Sequence, residues 1–300
     1  MLLDDVATKA VLPKWGKPEG YFDIPDSLLR RFPVLRTSPV RAAPAASSGR
    51  VYQEANSHGS VTGAYPDGLL LGSPAGVTAR RYWAWFAILL LVFFFILFAD
   101  LLSATISRGV KYPSAVNSAT SVLITIALTF IVLCAIWSAN IIFRSPPDWP
   151  IMFNRRTREV AYFEVKLPHF FRFWRPVQSS VVVRNWQDAQ FRIYKTVHFT
   201  GAGLKQLFEL ALLWGDEEQP TTLKDFVLIG DKFTSGDEPC LRIWEHIRRY
   251  MDESGPILER GEALREPPNN NPPLRFPKHL EEAAGGAPLS AEQFETMGLP

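Results

Sequence analysis

Cysteine is scarce in this 300-residue chain, which holds only Cys134 and Cys240. Two isolated cysteines make neither a disulfide framework nor a thiolate metal site, and free thiols suit a reducing compartment. An excess of one charge is also lacking. Thirty-two Lys and Arg against 30 Asp and Glu leave a formal net charge of +2, which gives no support to nucleic-acid binding, an activity that usually leaves a basic footprint. None of the five histidines (His58, His169, His198, His246, His279) stands at metal-ligand spacing from another His or a Cys. Gly201, Ala202 and Gly203 open like a dinucleotide loop, but Gln206 sits where that fingerprint needs Gly or Ala. There is no phosphate-binding loop and no Gly-x-Ser-x-Gly elbow. Glu217 and Glu218 fall in a polar turn rather than a paired-carboxylate site. The sequence therefore implies no cofactor, no metal and no catalytic residue, and reads as a non-enzyme.

What the chain does have is two long apolar runs. The first spans Tyr82 to Ala99, and the second lies within the run from Pro113 to Phe143; neither contains Asp, Glu, Lys or Arg. A helix crosses the hydrocarbon core of a bilayer with roughly 20 mainly apolar residues. The first run is apolar on every face, unlike the one-sided pattern of a helix packed in a soluble core. Arg80, Arg81, Tyr82, Trp83 and Trp85 precede it as an interfacial belt. The acidic start at Asp4 and Asp5 does not match a secretory leader, so the first run reads as a retained anchor. The expected spans are about 82–102 and 121–142. Thr120, Ser121, Thr125, Thr129, Ser138 and Asn140 are polar positions in the second. They serve either a helix–helix contact, within the hairpin or between chains of a homo-oligomer, or the helix's own backbone. Arg80, Arg81, Arg144, Arg155, Arg156 and Arg158 flank the hairpin, against Arg108 and Lys111 between the spans. That bias places both termini in the cytoplasm.

Residues 1–79 are rich in Pro, Ala, Ser and Gly and read as a mostly disordered segment. One docking stretch, Trp15 to Val34, includes a short helix starting near Asp26. Residues 145–256 read as a soluble α+β domain. Trp149–Asn154 and Glu159–Val165 form a hairpin about the turn Arg155, Arg156, Thr157. Further strands fall at 178–186, 190–198, 206–214 and 225–229. The stretch 206–214 alternates like a strand but has the Leu, Glu and Ala content of a helix, and its place in the meander favours strand. An amphipathic helix follows over 238–253, with Cys240, Ile243, Trp244, Ile247, Tyr250 and Met251 on one side. Arg242, Arg248 and Arg249 fall on its solvated face. Residues 257–300, with Pro267, Pro268, Pro272 and Pro273, read as a disordered tail. A membrane α-helical hairpin plus antiparallel strands closed by one C-terminal helix is the order of a pleckstrin-homology-like fold.

The one suggestive surface motif interleaves rings and bases from His169 to Arg175. Arg172, Trp174 and Arg175 there, with Arg248 and Arg249 on the helix, are the candidate contacts for a protein partner or for anionic lipid.

Several segments carry a family resemblance: Pro147 to Val160, a strand with Trp186, Ile243 to Asp252, and Gly255-Pro256 preceded, as a departure, by Ser254. With the two-span hairpin, they make residues 80–256 resemble an uncharacterised family of bacterial two-span membrane proteins carrying a domain of unknown function. Members are often encoded beside type VI secretion components or cargo. The resemblance implies an accessory or immunity protein of the bacterial inner membrane, with a toxin or secretion component as partner, and it brings no catalytic residues. The alternatives from the residues alone are an anionic-lipid-sensing module and a membrane-permeabilising toxin.

Overall fold

The computed structural model describes residues 12, 14–43, 49–73, 78–112, 114–144, 148–166, 178–200, 203–265, 274–290 and 293–294. In chain order the elements are α1 (Asp26–Arg31), a 3-10 turn (Pro33–Arg36), β1 (Pro39–Ala43), β2 (Val61–Tyr65) and β3 (Gly68–Leu71). Then come α2 (Thr78–Lys111), α3 (Ala115–Arg144), β4 (Ile151–Asn154), β5 (Glu159–Lys166), β6 (Gln178–Asn185), β7 (Gln190–Thr200), β8 (Gly203–Gly215) and β9 (Leu223–Phe233). Helices α4 (Glu238–Asp252) and α5 (Lys278–Ala283) follow. The chain divides into two compact units, one of residues 1–75, 148–163 and 181–300, the other of residues 76–147 and 164–180.

The first unit is α+β. Its two antiparallel sheets have the orders β2-β3-β4-β5-β6 and β1-β7-β8-β9. The β4–β5 hairpin forms where the turn chemistry predicts it. The Asn154 side chain accepts hydrogen bonds from the Arg156 and Thr157 backbone N–H groups at 3.0 and 3.1 Å. Arg158 takes φ 61°, and Asn154 then faces Glu159 across the ladder. That local Asx bond offers the chain a tight turn between two apolar strands.

The ambiguous stretch 206–214 lies in β8 and explains its own ambiguity. Leu210, Leu212 and Trp214 face the main core, which they share with β4, β7 and α4. Ala211 and Leu213 face a second cluster with Phe22, Val34, Leu35 and Phe226. Both faces are buried, so the strand carries near-continuous apolar residues rather than clean alternation. The expected stripe of α4 is buried throughout, with Trp244 stacked on Phe191 at a centroid distance of 4.6 Å and near Trp186 at 5.4 Å.

Two sequence expectations need correction. The segment before the apolar runs was expected to be mostly disordered, yet its described residues supply three strands. Leu69 pairs with Phe153 and Leu71 with Ile151, while Ala42 pairs with Arg192. The tail expectation fails similarly at 257–258 and 274–290, where Ile257, Leu258, Phe276, Leu280 and Ala284 are buried. The physical reason is shared. Each segment has few apolar residues at irregular spacing, and they gain burial only against strands from elsewhere in the chain. The α+β unit therefore extends beyond residues 145–256 on both sides.

In the second unit α2 and α3 are antiparallel neighbours joined through residues 112–114. They run beyond the expected spans, and the stretches 87–111 and 115–140 are long and apolar enough to cross a membrane by length and composition. Leu89, Phe93, Leu123 and Ile126 are 66%, 60%, 66% and 60% exposed. The hydroxyls of Thr120, Ser121, Thr125 and Thr129 each donate to the carbonyl four residues back, at 2.8–3.0 Å. They satisfy their own helix rather than a neighbour.

Candidate functional site

Residues 50–57 run along the polar side of helix α4, anchored by their backbone. The Val51 N–H donates to Glu245 Oε2 at 2.9 Å, and the Asn56 N–H donates to the Arg242 carbonyl at 3.2 Å. Tyr52 is buried and donates its hydroxyl to Glu238 at 2.6 Å. This cover turns part of the expected solvated face into a wall. Arg248, expected there, is only 5% exposed.

A cavity of about 380 Å³ lies at this seam, lined by Arg50, Gln53, Glu245, Arg248, Arg249 and Glu253. Arg248 is its most constrained member. It donates from Nε and Nη2 to the buried Glu245 at 3.1 and 2.6 Å, and from Nη2 to the half-exposed Glu253 at 2.8 Å. The hydrogen bonds that it donates to Glu245, aided by Glu253, outweigh burial and raise the guanidinium pKa above its ordinary value. Arg248 therefore carries its charge at every relevant pH. Arg249 donates from Nη1 to Glu259 at 2.9 Å and keeps over a third of its side chain exposed. Arg50 is exposed and donates to the carbonyls of Tyr52 and Gln53. The lining thus brings three guanidinium groups to one concavity, two carboxylates among them. Such a forked, planar donor set is suited to oxyanions.

A second enclosed arginine shows the contrast. Arg192 on β7 is fully buried and makes a fork to Glu19, from Nε to Oε2 at 2.6 Å and from Nη2 to Oε1 at 2.8 Å. Burial alone would raise the Glu19 pKa. The Arg192 bond and charge, with the Gly20 and Tyr21 N–H groups, overcome it and hold the carboxyl below its ordinary range. The Arg192 guanidinium also lies 4.9 Å from the centre of the Tyr21 ring. This pair locks the N-terminal stretch onto the sheet.

Of the sequence candidates, Arg248 and Arg249 thus meet in one concavity, while Arg172, Trp174 and Arg175 lie outside the described residues. Arg50 and Gln53 were not candidates. A single Arg at the end of a Pro-, Ala- and Ser-rich stretch carries no periodic signal, and it reaches the site because the N–H of its neighbour Val51 donates to Glu245 of α4. Among the described residues no group of three or more His, Cys, Asp or Glu could hold a metal ion. Cys134 and Cys240 are free, and burial raises the Cys240 thiol well above its ordinary pKa, with the Asp237 and Glu209 charges adding to it.

The protein is thus an α+β unit with an arginine-lined cavity, joined to a pair of apolar helices. A family profile described as "Family of unknown function (DUF6708)" matches residues 126–267. The match runs from within α3 through α4 and supports an uncharacterised domain family for that part of the chain. No curated protein and no solved structure matches the sequence.

Proposed function

We propose that this chain is a non-catalytic inner-membrane protein whose hairpin spans the bilayer and whose α+β unit binds a protein partner. The carrying observation is the apolar surface of α2 and α3, open on residues such as Leu89, Phe93 and Leu123. Exposed apolar area on that scale is unfavourable in water and satisfied by lipid. Strands β3 and β4 flank the hairpin in sequence and pair in one sheet. Both flanks then sit on the same side of the membrane. The cytoplasmic side is favoured by Arg80, Arg81 and Arg144 against Arg108 and Lys111. Arg155 and Arg158 count for less, being paired with Asp67 and Asp252. We read the two sheets with α4 as a pleckstrin-homology-like unit closed by that helix. The family resemblance supports a type VI secretion accessory or immunity role, with a toxin or secretion component as the partner. The backbone-satisfied hydroxyls of α3 give no support to a permeabilising toxin.

Alkaline extraction of membranes from cells expressing the full chain tests the anchor, and retention in the pellet is the expected result. Release into the supernatant would refute it. Cysteines introduced as Glu218→Cys and Tyr112→Cys should label from opposite sides of the membrane. Gene deletion in the host tests the role. An immunity protein is lost in competition only when siblings fire their toxins, and equal survival would refute immunity.

A further inference from the structure

The fold fixes Arg248 without exhausting it. Glu245, buried at 1% exposure, takes two of its hydrogen bonds and is itself held by the Val51 N–H. Glu253 takes a third from the rim, where its side chain is 54% exposed. The remaining terminal nitrogen, Nη1, has no partner among the described residues. Glu245 therefore positions the guanidinium, and Glu253 shows that the outward part of the fork accepts a carboxylate.

We propose that this cavity receives a carboxylate side chain from an acidic segment of a protein partner, with Arg50, Arg248 and Arg249 as its contacts and Glu253 as the internal group it displaces. The inference deepens the partner-binding reading and rests on it. Charge selects the ligand. Glu245, Glu253 and Glu259, the last paired with Arg249, balance the three arginines while Glu253 stays in place, so displacing Glu253 leaves one positive charge, which matches one carboxylate and is short of a phosphate dianion. Size agrees, since about 380 Å³ holds a Glu side chain with its neighbouring backbone. Geometry agrees too, because a fork already aligned by Glu245 loses little freedom when an anion arrives.

The test titrates the full chain in detergent with a dye-labelled peptide of alternating Glu and Ser, followed by fluorescence anisotropy. Inorganic phosphate and phosphatidylglycerol vesicles serve as competitors. Saturable binding is expected, displaced by unlabelled peptide at lower concentration than by either competitor. Arg50→Ala should weaken it about threefold to fivefold, the scale of one exposed charged contact. Glu253→Gln should tighten it about threefold, because the internal competitor loses its charge. Glu218→Gln, in the exposed β8–β9 turn, should leave it unchanged. Absence of saturable binding, weaker binding by Glu253→Gln, or equal binding by all variants would overturn the proposal. Stronger displacement by phosphate or by the vesicles would overturn it as well and assign the cavity to phosphate. The deletion assay reads the partner role separately. Unchanged competition alongside intact peptide binding would sink the secretion role alone, and the reverse pattern would sink the cavity alone.

Discussion

Arg192 of the α+β unit is fully enclosed, whereas Phe93 of the hairpin is 60% exposed. The two regions depart from the usual burial pattern in opposite directions, and for different reasons. In the α+β unit, Arg192, Arg248, Glu209 and Glu245 are all buried, and each has an oppositely charged partner. Burial of a charge is tolerated when the partner replaces the lost water. In the hairpin, apolar side chains face outward around the helices, and no charged partner changes that. The difference teaches where to look for a missing environment. The α+β unit carries its own, supplied by distant segments of the chain. The hairpin leaves its apolar surface open, and that surface is what the membrane-spanning proposal rests on.

The largest expected effect comes from the core of the α+β unit. Trp244→Ala should cost about 3–5 kcal/mol, the usual scale for deleting a buried aromatic side chain. Wild-type resistance to protease in that variant would break the comparison on this side. The hairpin is next. Leu123→Arg exchanges one exposed residue for another, and on a water-facing helix it would change stability by no more than about 0.5 kcal/mol. On a membrane-facing helix it should oppose insertion by about 2.5–3.5 kcal/mol and lower the alkaline-resistant fraction. An unchanged fraction would mean that water, not lipid, faces Leu123.

Glu19→Gln asks how far the buried charge depends on its partner. Leaving Arg192 with a neutral partner should cost about 1–3 kcal/mol and increase hydrogen exchange across residues 14–36. The pH dependence has a defined sign. The Glu19 pKa is depressed in the folded protein, so its contribution is complete above the ordinary glutamate value of about 4.3. It fades as pH falls through the lower folded value. Wild-type protein should therefore loosen this stretch only under acid conditions, and Glu19→Gln should be loose at neutral pH already. Protection that persists in the variant would show the apolar contacts of Phe22, Val34 and Leu35 to be sufficient. The smallest effect belongs to Arg249→Ala. Its ion pair with Glu259 is partly solvated, and about 0.2–1 kcal/mol is expected by chemical unfolding. A loss as large as that of Trp244→Ala would mean Arg249 is structural rather than presented at the cavity.

Much of this fold is legible in the sequence. The apolar runs, the β4–β5 turn and the stripe of α4 each follow from local periodicity, because neighbouring residues in sequence share one face. The candidate site was half legible. Arg248 and Arg249 stand on a helix whose faces are readable, and their charge marks them. Arg50 and Gln53 carry no such mark, and the reading of Arg248 as solvated missed the segment that covers it. The N-terminal and C-terminal segments were misread on the same ground. Val51, Tyr52, Leu69, Phe276 and Leu280 are buried singly or in pairs, too sparsely to make a period.

The sequence by itself determined that two stretches of this chain are long and apolar enough to cross a membrane, and where most strands and the long amphipathic helix lie. These are properties of composition and short-range spacing. Only the tertiary structure decided that β1 and β3, which precede the hairpin, pair with β7 and β4, which follow it. It alone decided that Arg192 is sealed by Glu19, 173 residues away, and that Arg248 opens onto a cavity shared with Arg50. Those outcomes depend on contacts between residues far apart in sequence. Such contacts form only after the chain has collapsed, and the entropic cost of closing those loops leaves no trace in local pattern.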